Sequence, residues 1–209
     1  MKYYLIALLF IGAIKQSFAQ TTVYDNTIYY DDIATVILQK DLSIYDPSPI
    51  INLGAGDKLI LSFDQLIPQN EFFNYTYIHC NSKWESSNLQ PMEYISGRLM
   101  GDITNFKYST NTYQKYTHYA LKFPEEDMEL TKSGNYILKI FRNFDEEDVV
   151  LTRRFMVVDN KTTTSGTIKS ATNAEFRFTH QELDFTVDYK GFAIPNPFID
   201  VNINILQNN

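Results

Sequence analysis

The stretch that most restricts the fold runs from Ser133 to Asp159, SGNYILKIFRNFDEEDVVLTRRFMVVD. Two arms dense in β-branched and aromatic residues, Tyr136 to Phe141 and Val149 to Val158, flank a polar, acidic turn from Asn143 to Asp148. That pattern predicts a β-hairpin. Alternation sets Tyr136, Leu138 and Ile140 on one face of the first arm, since successive strand residues point to opposite sides. In the second arm Leu151, Phe155 and Val157 share a face with Arg153, so the apolar stripe is interrupted by a cation. After Asp159 the composition shifts to Lys161-Thr-Thr-Thr-Ser-Gly166, as at a domain boundary. The hairpin therefore reads as the last element of a first β-domain.

The N-terminus reads as an export signal over residues 1–19. Lys2 supplies a positive start, Tyr3 to Ile14 an apolar run of about a dozen residues, and Ser17 and Ala19 the small residues before a cleavage point. Mature protein would begin at Gln20. The sole cysteine, Cys80, lies far from that point, which argues against a lipid anchor. No later run approaches the roughly 20 apolar residues of a membrane helix, so no membrane insertion is expected. A single cysteine also rules out an internal disulfide, and Cys80 reads as a small buried hydrophobe at a strand end.

Between the ends, β-type runs recur at short intervals: Ile33 to Lys40, Ile50 to Leu53, Lys58 to Asp64, Phe73 to Cys80, Phe106 to Thr110, Thr117 to Phe123, and then the hairpin. Thr21 to Asp32 reads as a lead-in. Asp46-Pro47-Ser48-Pro49 and Pro68-Gln69-Asn70 read as breaks. Asn81 to Gly101 has no sustained period and reads as a long connection, the kind of segment that is often functional. About seven strands in roughly 130 residues with no helix predict a β-sandwich. The Gly134-Asn135-Tyr136 opening suits the late strands of an immunoglobulin-like one. The fold class expected is all-β, an immunoglobulin-like sandwich over residues 20–159 followed by an incomplete second β-region over residues 160–209. In that second region Thr162 to Ser170 is an edge strand or a linker. Gln181 to Tyr189 and Phe198 to Leu206 alternate as strands, the latter presenting Ile199, Val201, Ile203 and Ile205. A terminal strand without partners suggests a shortened second domain.

Active-site signatures are missing. His79, His118 and His180 are far apart, with no zinc spacing; there is no nucleophile elbow, phosphate loop or dinucleotide fingerprint. Glu125-Glu126-Asp127 and Asp145-Glu146-Glu147-Asp148 match no calcium loop and read as solvated tips. No cofactor, metal or small-molecule substrate is expected, and the chain does not read as an enzyme. Formal charge is −7, or −9 once Lys2 and Lys15 leave with the signal, which speaks against nucleic acid. Fifteen Tyr beside fifteen Phe exceed what a core of this size calls for, so aromatic surface is expected as well.

Several strings then resemble, in order, a known family. They are LGAGDKLILSFDQL (Leu53 to Leu66), YTYIHCNSKWESSNLQPMEYISG (Tyr75 to Gly97), YSTNTYQKYTHYALKFPEEDMELTKSGNYILKIF (Tyr108 to Phe141), VVLTRRFMVVD (Val149 to Asp159) and THQELDFTVDYKG (Thr179 to Gly191). Together they resemble the plug protein of the type IX secretion system. The resemblance implies a periplasmic protein that binds and closes the periplasmic opening of a large outer-membrane β-barrel translocon. It also implies a chain about twice as long, and it brings no catalytic motif. On this reading Trp84 and Tyr94 are candidate aromatic anchors on the Asn81 to Gly101 connection, with Arg98 a polar one; alternatively Trp84 packs over the sandwich core. A carbohydrate- or surface-binding module is the competing function, and a calcium-dependent or hydrolytic enzyme comes third.

Overall fold

The computed structural model describes residues 22–41, 48–67, 71–189, 191–203 and 205. The expected export signal, the Pro68 to Asn70 break and residues 46–47 of the Asp46 to Pro49 break lie outside these. The chain begins with β1 (Thr27–Ile28), β2 (Ile33–Lys40), β3 (Ile50–Asn52), β4 (Leu59–Gln65) and β5 (Phe73–Cys80). One helical turn, α1 (Pro91–Tyr94), precedes β6 (Ile95–Gly97), β7 (Gly101–Asp102) and β8 (Asn105–Tyr108). Next come β9 (Thr117–Phe123), β10 (Met128–Leu130), β11 (Gly134–Arg142) and β12 (Asp145–Val158). Beyond Asp159 lie β13 (Thr163–Ser170), β14 (Gln181–Asp188) and a second helical turn, α2 (Pro197–Asp200).

Two sheets form the all-β sandwich. One runs β1-β12-β11-β5-β7, with β3 added in parallel farther along the same edge of β12. The other runs β2-β4-β9-β8. In β4 and β9 every second residue is buried, the period-2 signature of a half-buried strand. Leu59, Leu61 and Phe63 meet Tyr119, Leu121 and Phe123 from the neighbouring strand and face Phe73, Tyr75, Tyr77, Tyr136, Leu138 and Phe155 across the sandwich. Phe73 lies edge-on to Phe63 at 5.3 Å and to Tyr119 at 4.8 Å, and Phe123 edge-on to Phe155 at 5.3 Å. Such pairs add about 1 kcal/mol each beyond the area they bury.

Of the twelve tyrosines among the described residues, five lie in the core and three, Tyr108, Tyr113 and Tyr189, are exposed. Tyr75, Tyr77, Tyr119 and Tyr136 are fully buried. Their hydroxyls must find partners or go unsatisfied. Tyr136 donates to the Lys132 carbonyl at 2.8 Å, and Tyr119 to Gln65 Oε1 at 3.4 Å. Tyr75 carries its ring so close to the backbone of β7 that a Cβ at Gly101 would overlap it.

Strand β2 keeps the predicted limits but not a strict alternation. Thr35, at φ 51°, forms a bulge between the Ala34–Asp64 and Ile37–Ser62 pairs. The extra residue shifts the period, so Ile33 is buried while Val36 and Leu38, not Ile37, pack on the core beyond it.

The organising hairpin differs from its sequence reading at the tip. The turn is two residues long, Asn143 and Phe144, both at positive φ (51° and 62°). That is the backbone of a type I′ turn, whose twist matches the flanking strands. The acidic run is not turn but bulged strand. Phe141 pairs with Val149 and Arg142 with Asp145, leaving Glu146, Glu147 and Asp148 outside the register. Lys139 reaches Glu146 at 3.2 Å, and the Tyr30 hydroxyl donates to Asp148 at 2.6 Å, which holds the bulge against the sheet.

The region after Asp159 meets expectation in part. Of its two readings the Thr-rich stretch takes the strand, β13, paired along its length with β14. Phe198 to Leu206 is not a strand in the described residues. Asn196 accepts a hydrogen bond from the Phe198 amide at 3.2 Å, Pro197 takes the first helical position, and a single turn results. Local capping won over alternation, and among the described residues no strand pairs with this run.

Candidate functional site

Asn81 to Gly101 is not one loose connection but a chain of short, hydrogen-bonded pieces. The Asn81 side chain accepts from the amides of Lys83 (2.9 Å) and Glu85 (3.1 Å), closing a tight turn that puts Trp84 at φ 63°. Glu93 accepts from the Gln90 amide at 2.7 Å and starts the single turn of α1. The strand β6 then pairs with β10.

The three residues expected on this segment meet different fates. Tyr94 is a correction: it is 4% exposed, and its hydroxyl donates to the Tyr77 carbonyl at 3.2 Å. Helical spacing turns its ring inward against His79 and Tyr136, and burial pushes the phenol pKa up. Tyr94 is therefore part of the core and not an anchor on the surface. Trp84 is half-buried, its ring covered by the Arg154 guanidinium at 4.5 Å. Arg154 in turn donates to the Tyr24 carbonyl and pairs with Asp25, fastening the lead-in segment to β12. Arg98 is exposed and grips two carboxylates, Asp127 at 2.6 Å and Glu125 at 2.9 Å. The paired guanidinium holds the Asp127 carboxyl below the usual carboxylate range. The structure gives no contact between Trp84 and Arg98.

At the other end of β5 the surface is of another kind. Phe72 is 68% exposed and Phe144 66% exposed. The hairpin tip is bolted beside the start of β5: the Asn143 amide donates to the Phe72 carbonyl at 3.0 Å, and the Phe144 amide to Asn74 Oδ1 at 2.8 Å. Asn74, itself buried, donates to Asp102 at 2.6 Å. Behind the tip Arg142 stacks over Tyr30 at 4.2 Å and pairs with Asp32 at 3.3 Å and Glu71 at 2.8 Å. These elements enclose a cavity of about 290 Å³, lined by Glu71, Phe72, Phe73, Asp102, Phe106 and Phe144 among others. It opens where the chain crosses from β7 in one sheet to β8 in the other. The sequence held one signal for this surface, a phenylalanine inside an otherwise polar, acidic turn.

His79 and His118 stand in different sheets. His79 lies against Tyr94 and Tyr136, while His118 Nδ1 meets Asp64 at 2.7 Å on the outside of the second sheet. Among the described residues no group of three or more His, Cys, Asp or Glu side chains is arranged to hold a metal ion. No helix there is long and apolar enough to cross a membrane.

Comparison with known proteins bears on the sandwich most directly. The family model for the type 9 secretion system plug protein 1st domain matches residues 33–159, more than half of the chain. A crystal structure of a hypothetical protein from Parabacteroides merdae ATCC 43184 superposes with a TM-score of 0.78 at 26% identity, over 86% of this chain and 45% of that one. The chain thus spans under half the length of that neighbour. Pseudomonas fluorescens alkylpurine DNA glycosylase AlkC reaches a TM-score of 0.33 at 13% identity, over 60% of this chain and 30% of that one, which carries no argument. A search of curated proteins gives no match.

Proposed function

Because this chain belongs to the type 9 secretion system plug protein family, matching its first domain over residues 33–159, we propose that it binds the periplasmic opening of the large outer-membrane β-barrel translocon and closes it when no substrate is engaged. Family membership gives it a role related to type IX secretion and a place in the cell envelope. The finer reading is non-enzymatic: an exported periplasmic sandwich that acts by occupying a space. The observation that carries it is the family match across the entire two-sheet core. The fold suits the task physically. A sandwich packed through edge-on aromatic pairs is stiff, and its inter-strand turns offer tips with fixed geometry.

Of the residues expected at the contact, Trp84 and Arg98 remain at the surface and Tyr94 does not. The test is affinity isolation from gently extracted envelopes with a tag on the C-terminus. A very large outer-membrane barrel recovered at near one-to-one yield is the expected result. A folded protein that brings down no barrel overturns the proposal. A glycan array that shows saccharide binding would favour the competing carbohydrate module. Capture of the barrel by a Trp84→Ala, Arg98→Ala variant at wild-type yield would remove the Asn81 to Gly101 segment from the contact surface.

A further inference from the structure

We infer that the cavity between the β7–β8 crossover and the hairpin tip is a docking site for an extended polypeptide segment, one apolar side chain of which enters the cavity between flanking lysines or arginines. The inference rests on four observations at one place and does not depend on which protein supplies the segment.

The first is strain. Phe144 is a bulky residue at φ 62°, a conformation that favours glycine or asparagine. Its ring is not repaid by burial, since it is 66% exposed. Outliers of this kind gather at binding sites, where the surroundings fix them. Here the Asn74 side chain and the Phe72 carbonyl do so.

The second is shape. The cavity has a volume of about 290 Å³ and aromatic walls from Phe72, Phe73, Phe106 and Phe144, so one side chain of leucine or phenylalanine size can enter it.

The third is the open strand edge. Strand β8 pairs with β9 on one side and, among the described residues, with no strand on the other. A segment laid along β8 gains backbone hydrogen bonds and turns every second side chain toward the space between the sheets. Near Asn105 that space is the cavity. Phe106 faces the core against Tyr119, so Lys107 projects from the opposite face of β8 and does not guard the entrance.

The fourth is charge. Among the described residues no lysine or arginine lines the cavity. Asp102 is exposed beside it, and Asp145 and Glu147 at the tip make no ion pair among the described residues. Arg142, behind the wall, is committed to Asp32 and Glu71. An acidic rim around an apolar hollow fits a basic segment with an apolar centre.

The test titrates the isotope-labelled protein with three acetylated, amidated pentapeptides and follows backbone amide shifts. The first is Lys-Val-Leu-Val-Lys, the second replaces its leucine with glycine, and the third replaces both lysines with glutamate. The expected result is that the first peptide shifts Phe72, Asn74, Asp102 to Tyr108 and Phe144. The other two should bind at least tenfold more weakly. A Phe144→Asn variant should melt at the same or a higher temperature and bind the first peptide at least tenfold more weakly, with Asp102→Asn lowering affinity less. The inference is overturned if the first peptide leaves these amides unmoved, if all three peptides bind alike, or if folded Phe144→Asn binds as the wild type does.

Discussion

The two ends of β5 solve one backbone problem in opposite ways. Past its C-terminal end the chain turns through Trp84 at φ 63°, and beside its N-terminal end the hairpin turns through Phe144 at φ 62°. Each places a large aromatic residue where a left-handed backbone costs about 1–2 kcal/mol. At Trp84 the molecule recovers that cost internally. Arg154 covers the indole and ties the lead-in segment to β12 through Tyr24 and Asp25. At Phe144 nothing in the described chain covers the ring. The same strain is thus spent on folding at one end and left available to a partner at the other. An aromatic residue in a strained turn is informative about function only once its surroundings are known.

The largest effect expected from breaking this arrangement is at Arg142, which holds the uncovered end from behind. Its side chain is 13% exposed and faces both Asp32 and Glu71. Arg142→Met leaves those two carboxylates without their cation, and should lower stability by about 3 kcal/mol in denaturant titration. A loss below 1 kcal/mol would mean that water already screens the pair. Next comes Gly101→Ala, which drives a methyl group into the Tyr75 ring beside Asp102. Overpacking of this sort should cost about 2 kcal/mol. It should also disturb amides at the uncovered end more than those around Trp84.

The sharpest comparison uses one substitution at each turn. Trp84→Ala removes the Arg154 stack and keeps a Cβ in the left-handed region, so it should destabilise by about 1 kcal/mol. Phe144→Asn puts a residue suited to that region in place of one that is not, and should stabilise by up to about 1 kcal/mol. Opposite signs in the two melting temperatures are the expected outcome. Equal losses would mean that Phe144 is held by packing after all.

How far the sequence revealed this depends on how local the cause is. Strands β2, β5 and β9 are legible to the residue because each is a local run dense in β-branched and aromatic residues, with clean alternation in Thr117–Phe123. The two- and three-residue strands β1, β6, β7 and β10 are invisible in the sequence, since distant partners make them: Thr27 pairs with Thr152, Met128 with Gly97. The burial of Tyr94 is hidden in the sequence for the same reason. Nothing near it in sequence says that the Tyr77 carbonyl waits inside to accept its hydroxyl. The run Phe198 to Leu206 shows the reverse error, a strong alternation that yields to an Asn196–Pro197 start, with no pairing strand among the described residues. At the hairpin tip the acidic residues drew attention to Asn143–Asp148, while the feature that matters, Phe144 at positive φ, is a backbone fact that composition does not carry.

The smallest effect is kinetic, and it reads the covered end from within. Cys80 closes β5 beneath the Trp84 turn, bridged to Ser86 and 1% exposed. Burial pushes its thiol pKa up to about 11, only partly countered by the nearby Arg154 charge. At pH 8 roughly one molecule in a thousand would carry the reactive thiolate, and that thiolate is out of reach of reagent. Labelling by an aromatic disulfide should therefore be slow and should proceed through opening of the turn. Trp84→Ala should speed it several-fold without changing its rise with pH, because the stack that closes the turn is gone while the thiol's surroundings in the closed state persist. Phe144→Asn should leave the rate unchanged, since it acts at the far end of the same strand. If Phe144→Asn speeds labelling as much as Trp84→Ala does, the two ends open as one unit. The uncovered aromatic end would then be a consequence of global looseness rather than a surface held ready for a partner.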